Sequence, residues 1–498
     1  MDTGSLKYRT YKGVIWQFLG LSISATISIA HIVVMSRLLN PEVFGQFAIA
    51  AVIIAITQIF TEFGFGPALI QKKTLEKDDA SFVLTANLCI GVVMFLGIWS
   101  ASNIISAFFD DYLRPEIITA LALNLLIAPI SLASRSLLIR EMEFRFLFRT
   151  NLVAQFLGLI IVGITLAYFG YGIWSLVLGL LMTTTVNSLI YFIYRPVRFK
   201  FAFEKSKIIG IVQYGFGLTF VQALNQIAAQ LDKLVLGKLL ALSTLGVYER
   251  AQRLQQMPNV YIGGMISTVL FSSLSRYADK PKILGKHFFS IILIASVISA
   301  YLSILVFHLS ENIVALVIGD KWKDAVVILK LLSVLIYFQL LSRLGDSFVR
   351  ASGCFRVSAI VKSIYLVSIL IFVLIGFFFW SMIGAVIGVV IANIIHSLLM
   401  LVICARVSRF PISSVLYRIG PSFAIALVLL IKNILIDCIF KDNSLENIST
   451  VLITDLLIAS LLYFNLNLLG TENSKIVSAR INEISNIIKN TLLNLQKK

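Results

Sequence analysis

Between Gln222 and Gln256 the chain carries amide and charged side chains inside stretches that are otherwise apolar. A charge at the centre of such a stretch costs on the order of 2.5–3.5 kcal/mol in a bilayer. It is retained where it faces a bundle interior or a water-filled cavity and does something there. At about 100° per residue, Gln222, Gln226, Gln230 and Lys233 form one stripe, with Asn225 and Asp232 beside it. Gln17, Ser24, Ser28 and His31 share a face of the first apolar stretch. Gln58 pairs with Glu62, and Asn124 and Ser131 line up with Arg135. Glu249, Arg253 and Gln256 align, as do Arg343, Ser347 and Arg350 with Asp346 beside them.

Two kinds of chemistry fit these groups. Lys233, Arg250, Arg253, Arg135 and Arg343 are cationic points suited to an anionic headgroup such as a pyrophosphate. Asp232 and Glu62 are candidates for carrying a proton or binding a cation. Gln17, Ser24, Ser28, His31, Gln222, Asn225 and Gln226 would complete a hydrated cavity. Each has a structural alternative. Glu249 and Arg253 have the spacing of an ion pair along one helix. Arg343, Asp346 and Arg350 lie where long side chains can reach the membrane surface. His31 alone would serve as a hydrogen-bonded buried histidine.

Other chemistries lack their residues. Cys89, Cys354, Cys404 and Cys438 form no CxxC pair, and His31, His287, His308 and His396 are isolated, so no metal or disulfide framework is indicated. Gly237-Lys238 and Gly285-Lys286 lack the glycines and hydroxyl of a phosphate-binding loop. ATP is therefore not expected as a direct energy source, and no cofactor is implied.

The elements that must position these groups are membrane helices. Of 498 residues, 58% are hydrophobic and only 13% charged, against about 25% charged in a soluble domain. That excludes a soluble enzyme, a disordered chain and a nucleic-acid-binding domain, despite the net charge of +17. Apolar runs of the required length of about 20 residues fall near 13–37, 43–66, 80–108, 115–138, 148–169, 171–194, 208–237, 246–274, 287–309, 325–349, 358–380, 382–405, 415–438 and 448–470. Lys432, Asp437 and Asp455 interrupt the last two, so the count is twelve to fourteen. The first run is too long for a signal peptide and reads as a retained helix. With both termini cytoplasmic, inside loops hold 29 Lys and Arg and outside loops 6, which sets the orientation. No domain-sized loop appears. Val477, Ile481, Ile484, Ile488, Leu492 and Leu495 give the tail an amphipathic stripe, with Lys475, Arg480, Glu483 and Lys489 off it.

The chain also echoes itself. SRLLNPEVFGQFAIA (36–50) matches GKLLALSTLGVYERA (237–251) at an offset of 201, aligning Arg37 with Lys238 and Gly45 with Gly246. EFRF (143–146) echoes CFRV (354–357) at 211. Two six-helix halves running the same way would account for both. The expected division is 1–200 and 201–410, then two further spans over 411–470 and the cytoplasmic tail 471–498.

Several blocks carry a family resemblance over about residues 10–410. They are FGFGPALIQKK (63–73), RSLLIREMEFRF (135–146), QLDKLVLGKLLALSTLGVYERAQRLQQMP (230–258), GDKWKDAVVILKLL (319–332) and the glycine of RASGCFR (350–356). In their order and spacing the chain resembles the Wzx-type polysaccharide flippases, of the colanic-acid-exporter branch, in the multidrug/oligosaccharidyl-lipid/polysaccharide (MOP) exporter superfamily. The resemblance implies an all-α integral membrane protein with two six-helix lobes in a V, working by alternating access. It implies translocation of an undecaprenyl-pyrophosphate-linked oligosaccharide across a bacterial inner membrane for O-antigen, capsule or exopolysaccharide synthesis, driven by a proton or sodium gradient. A polysaccharide polymerase and a chain-length regulator are the implied protein partners. Lipid II flippases carry arginines within the first span, whereas this one has none before Arg37. That argues against a peptidoglycan precursor.

Two other functions remain open at this point. A polymerase or lipid-linked glycosyltransferase would need a substantial outer loop, and FFDDYLRPE (108–116) is only a short turn. A multidrug exporter would share the fold but favour aromatic over charged cavity residues.

Overall fold

A computed structural model of the chain describes residues 3–72, 74–110, 112–200, 205–274 and 281–413, together with 415, 419–420, 422 and 426–431. Among the described residues the regular elements are helices, with no strand. In order they are α1 (Thr3–Leu38), α2 (Pro41–Glu62), α3 (Phe65–Gln71), α4 (Lys77–Phe108), α5 (Pro115–Ala122), α6 (Asn124–Arg140), α7 (Phe144–Gln155), α8 (Thr165–Tyr168), α9 (Ile173–Tyr194), α10 (Lys205–Leu239), α11 (Leu242–Leu274), α12 (Pro281–His308), α13 (Ser310–Ile313), α14 (Ala325–Ala351) and α15 (Phe355–Ser408).

Among the described residues, 8 helical stretches are long and apolar enough to cross a membrane. Every predicted span up to 382–405 coincides with a helix. The fourth is α5 and α6 nearly end to end, and the fifth joins α7 to α8 through a π-helical stretch, Phe156–Ile164. The eleventh and twelfth are the two arms of α15, broken where Trp380 has φ −136° and Ser381 φ +51°. The predicted spans 415–438 and 448–470 lie outside the described residues apart from a few positions up to 431, and the tail 471–498 lies wholly outside them.

Local chemistry explains where several helices start and stop. Pro41 begins α2, where its missing N–H costs nothing. Phe63 and Gly64 both take left-handed backbone and turn the chain from α2 into α3. Arg140 then donates to the carbonyls of Leu69 at 2.9 Å and Ile70 at 3.1 Å, and to that of Lys72. These are carbonyls that a helix end leaves without partners. The Asp79 carboxylate accepts from the Glu76 N–H at 2.9 Å and pairs with Lys72 at 2.6 Å, fixing the start of α4.

The chain divides into two compact units. The first comprises Met1–Leu254, Glu311–Ile328 and Lys362–Ala392. One part of its core, around Phe65, Leu69, Val83, Leu84 and Ala133, binds α3, α4 and α6. A second part lies where α1 ends and α2 begins. There Met35, Phe44, Ile49, Leu236, Leu245, Tyr248 and Trp322 are buried. A Cβ on Gly45 would meet the carbonyl oxygen of Leu242, and a Cβ on Gly246 would meet that of Pro41. The starts of α2 and α11 thus cross backbone against backbone, each through its own glycine. Small residues are what permit such approach between membrane helices. Pro41 and Gly45 become Leu242 and Gly246 at the offset of 201, so the contact is reciprocal and follows the sequence echo.

The second unit comprises Gln255–Ser310, Leu329–Val361 and Asn393–Lys498. Its described core is apolar and aromatic, with Phe288 and Phe348 rings 4.5 Å apart at its centre. A buried amide network runs through it. Gln255 and Asn259 of α11 donate to Gln339 of α14, at 3.2 and 3.0 Å, and Gln339 donates to Asn393 of α15 at 3.4 Å.

Candidate functional site

The candidate polar residues of the first unit sit on α1, α10 and α11, with Glu62 on α2 and Arg135 on α6. α10 and α11 carry long apolar faces interrupted by the stripe ending at Asp232 and Lys233. At the offset of 201, Asp232 corresponds to His31 and Asn225 to Ser24. The two helices that precede the glycine crossing therefore carry titratable groups at equivalent positions.

Asp232 is 4% exposed. Its carboxylate accepts the Tyr248 hydroxyl at 2.6 Å, the Gln252 amide at 2.5 Å and the Lys233 backbone N–H at 2.9 Å. All three donors are neutral. Hydrogen bonds to an ionised group are about twice as strong as neutral ones, and they hold the carboxylate without cancelling its charge. Gln252 also donates to the Tyr248 oxygen at 3.1 Å, while its own carbonyl oxygen is buried with no partner among the described residues. Tyr248 and Gln252 were not among the sequence candidates. The signal was present, because Tyr248 aligns with Phe47 in the first half and differs from it mainly by the hydroxyl.

On the same turn of α11 the charges gather. Glu249 pairs with Arg250 at 2.5 Å, and the Arg250 guanidinium lies over the Phe44 ring at 4.0 Å. Lys233 and Arg253 are within electrostatic range of Glu249, and Arg250 and Arg253 are within range of His31. The ion pair expected between Glu249 and Arg253 is thus made with Arg250 instead. Its physical reason is burial: Arg250 is buried against Phe44 and has only Glu249 to neutralise it, whereas Arg253 is exposed. Neither the Lys233 ammonium nor the Arg253 guanidinium is hydrogen-bonded to a described residue.

The remaining candidates divide. Ser24, Ser28 and His31 are half-buried along α1, with the His31 ring beside Gly163. Gln17 lies in α1, but its side chain is outside the described residues. Gln222 and Asn225 are exposed and Gln226 half-buried on α10. Glu62 of α2 accepts from Gln58 at 3.3 Å and lies within electrostatic range of Arg135 of α6. Arg343 belongs to the second unit, within electrostatic range of Asp346 and Arg350 of its own helix. Around α10 and α11, Lys233 and Arg253 are thus without a hydrogen-bonded acid among the described residues, and Asp232 is held by neutral donors.

Comparison with known proteins bears on what that arrangement serves. The family described as "Polysaccharide biosynthesis protein" matches residues 34–327, more than half of the chain. The chain is 25% identical over 341 residues to the lipopolysaccharide biosynthesis protein WzxC of Escherichia coli (strain K12), covering 66% of this chain and 67% of that one. It is 26% identical over 414 residues to a membrane protein of the cps region of Klebsiella pneumoniae, covering 79% and 82%. The succinoglycan biosynthesis transport protein ExoT of Rhizobium meliloti (strain 1021) is 25% identical over 326 residues, covering 65% of each. Among solved structures, the lipid II flippase MurJ in an inward closed conformation superposes with a TM-score of 0.75 at 18% identity, covering 91% of this chain and 99% of that one. An inward-facing multidrug resistance transporter of the MATE family in the MOP superfamily gives 0.64 at 16% identity, covering 77% and 94%. The chain shares their fold.

Proposed function

The chain belongs to the polysaccharide biosynthesis protein family, as a Wzx-type flippase of the MOP superfamily, and from that premise we propose that it moves an undecaprenyl-pyrophosphate-linked oligosaccharide across the bacterial inner membrane. It is a multi-pass membrane transporter and not an enzyme. Its substrate class is a lipid-linked saccharide.

The observation that carries it is the pair of cations, Lys233 and Arg253, that no described residue engages by a hydrogen bond. Lys233 and Arg253 lie near one acid, Glu249, which Arg250 already neutralises. Lys233 is half-buried and Arg253 exposed, so both charges are open to an anion. A diphosphate would engage both, and a guanidinium presents a fork that matches phosphate oxygens. Ser24, Ser28, His31, Gln222, Asn225 and Gln226 would meet sugar hydroxyls in the same path. The prenyl chain stays in lipid. Arg250 serves the helix crossing rather than the substrate.

Asp232 is the group that would carry the coupling proton or sodium ion, since it is ionisable, buried and held by neutral donors. Glu62, bonded to Gln58, is the alternative carrier. The excess of Lys and Arg in alternate loops supports cytoplasmic termini, which makes the α1–α2 turn an outer feature. A polymerase and a chain-length regulator would then act on the exported units at that outer face.

The test is polysaccharide export from cells carrying single variants at normal protein level. Lys233→Ala and Arg253→Ala should each reduce export strongly, and Asp232→Asn should leave export insensitive to the ion gradient. Full export in Lys233→Ala and Arg253→Ala would remove the proposed headgroup site.

A further inference from the structure

At the end where α1 gives way to α2, the end of a helix from each half is held by a hairpin from the other. The end of α1 is held by the turn Gly319–Trp322. The Trp322 indole N–H donates to the Ser36 carbonyl at 2.9 Å. The Lys321 ammonium donates to the carbonyls of Arg37 at 3.0 Å and Leu39 at 2.5 Å. In return the Arg37 guanidinium donates to the Leu316 carbonyl at 2.8 Å. Trp322 is 0% exposed and meets Phe44 edge to face at 5.5 Å. The end of α10 is held by the turn after α4. There the Lys238 ammonium pairs with Asp110 at 2.7 Å and stands over the Phe108 ring at 5.4 Å. Buried Phe109 lies against Gly237.

Arg37 and Lys238 are equivalent at the offset of 201. The first reaches forward into the second half, and the second reaches back into the first. Between the two grips lies the reciprocal crossing of Gly45 and Gly246.

We propose that these two grips are a pair of pseudo-symmetric clasps that hold the outer side of the transport path shut, with Trp322 and Lys321 as the positioning residues of the stronger one. The proposal rests on the flippase reading and its sidedness. Three physical facts support it. The last carbonyls of a helix have no partner within it, so a donor placed there grips the helix by its backbone. A cation at that end also meets the negative pole of the helix dipole. Arg37 and Lys238 lie six residues beyond His31 and Asp232, about 9 Å along a helix. A clasp on the helix end therefore fixes the height and rotation of the polar groups just below it.

The clasps are unequal. That on α1 combines a buried indole with several donors to backbone carbonyls. That on α10 rests on an ion pair whose partners are 38% and 56% exposed, and exposed pairs contribute little. The α10 clasp yields first, and the α1 clasp determines how long the outer side stays closed.

The experiment reads which side of the membrane reaches the path. Ser28→Cys is introduced with Cys89, Cys354, Cys404 and Cys438 replaced by alanine, and a membrane-impermeant maleimide is applied to right-side-out and to inverted vesicles. The parent should label from inverted vesicles. Trp322→Ala should raise the right-side-out labelling rate at least tenfold and lower the inverted one. Trp322→Phe keeps a buried ring and removes the N–H, and should shift the ratio about fivefold, the worth of one hydrogen bond. Lys321→Met should act in the same direction. Unchanged labelling ratios in the Phe and Met variants, at normal protein level, would overturn the clasp while leaving the flippase reading intact. A parent labelled as fast from outside as from inside would overturn the clasp too, and the sidedness with it.

Discussion

The helix crossing near the α1–α2 turn and the polar stretch beside it use the same residue types in opposite ways. At the crossing the cations are spent on structure. Arg37, Lys238 and Lys321 hold carbonyls or an acid, and Arg250 lies between Glu249 and Phe44. A turn away, Lys233 and Arg253 hold nothing among the described residues, and the buried acid Asp232 has only neutral donors. The difference teaches how to read charge in a membrane protein. A cation with a backbone or ring partner positions helices. One with no such partner among the described residues is left for a ligand.

Four changes would break or sharpen that contrast. Removing both reserved cations, Lys233→Ala with Arg253→Ala, should have the largest effect. Losing charged contacts of about 2–5 kcal/mol each should reduce export by more than two orders of magnitude, with the melting temperature of the purified protein unchanged. Next is Gly246→Ala. Its methyl must displace the Pro41 carbonyl, so overpacking of about 1–3 kcal/mol should appear as a lower melting temperature in detergent. Tyr248→Phe follows. It removes one donor from the Asp232 carboxylate, worth about 1.5–3 kcal/mol for a charged acceptor, and should slow gradient-driven uptake in vesicles more than it lowers stability. Asp110→Asn should be smallest, since the exposed pair with Lys238 contributes about 0–1 kcal/mol. Its melting temperature should match the parent within error at high salt. A large loss of export in Asp110→Asn, with none in the double variant, would reverse the contrast.

Much of the fold was legible because bilayer physics writes itself into sequence. Apolar runs must be long enough to span, and every predicted span through 382–405 is a helix. The break in α15 at Trp380 and Ser381 also fell between two predicted spans. The equivalence of Gly45 and Gly246 was visible as an echo, but their mutual contact was not, since a repeat shows which residues correspond and not which ones touch. The site was less legible for the same reason. Arg250 and Arg253 are alike on paper, and only packing against Phe44 and Glu249 separates them. The spacing rule for helical ion pairs favoured Glu249 with Arg253, yet burial forced Arg250 to use its immediate neighbour. Trp322 gave no chemical signal in an apolar chain. Its indole N–H acquires meaning only beside the end of α1.

The central claim is that the chain carries lipid-linked saccharides from one leaflet to the other. The direct measurement is the leaflet that holds prenyl-linked repeat units in cells lacking this protein, read with an impermeant probe on inverted and right-side-out vesicles. The account predicts repeat units trapped on the cytoplasmic leaflet, restored to the outer one by the wild-type chain and not by the Lys233→Ala, Arg253→Ala double variant. Single units reaching the outer face in the absence of the protein, and failing only to join into chains, would contradict it.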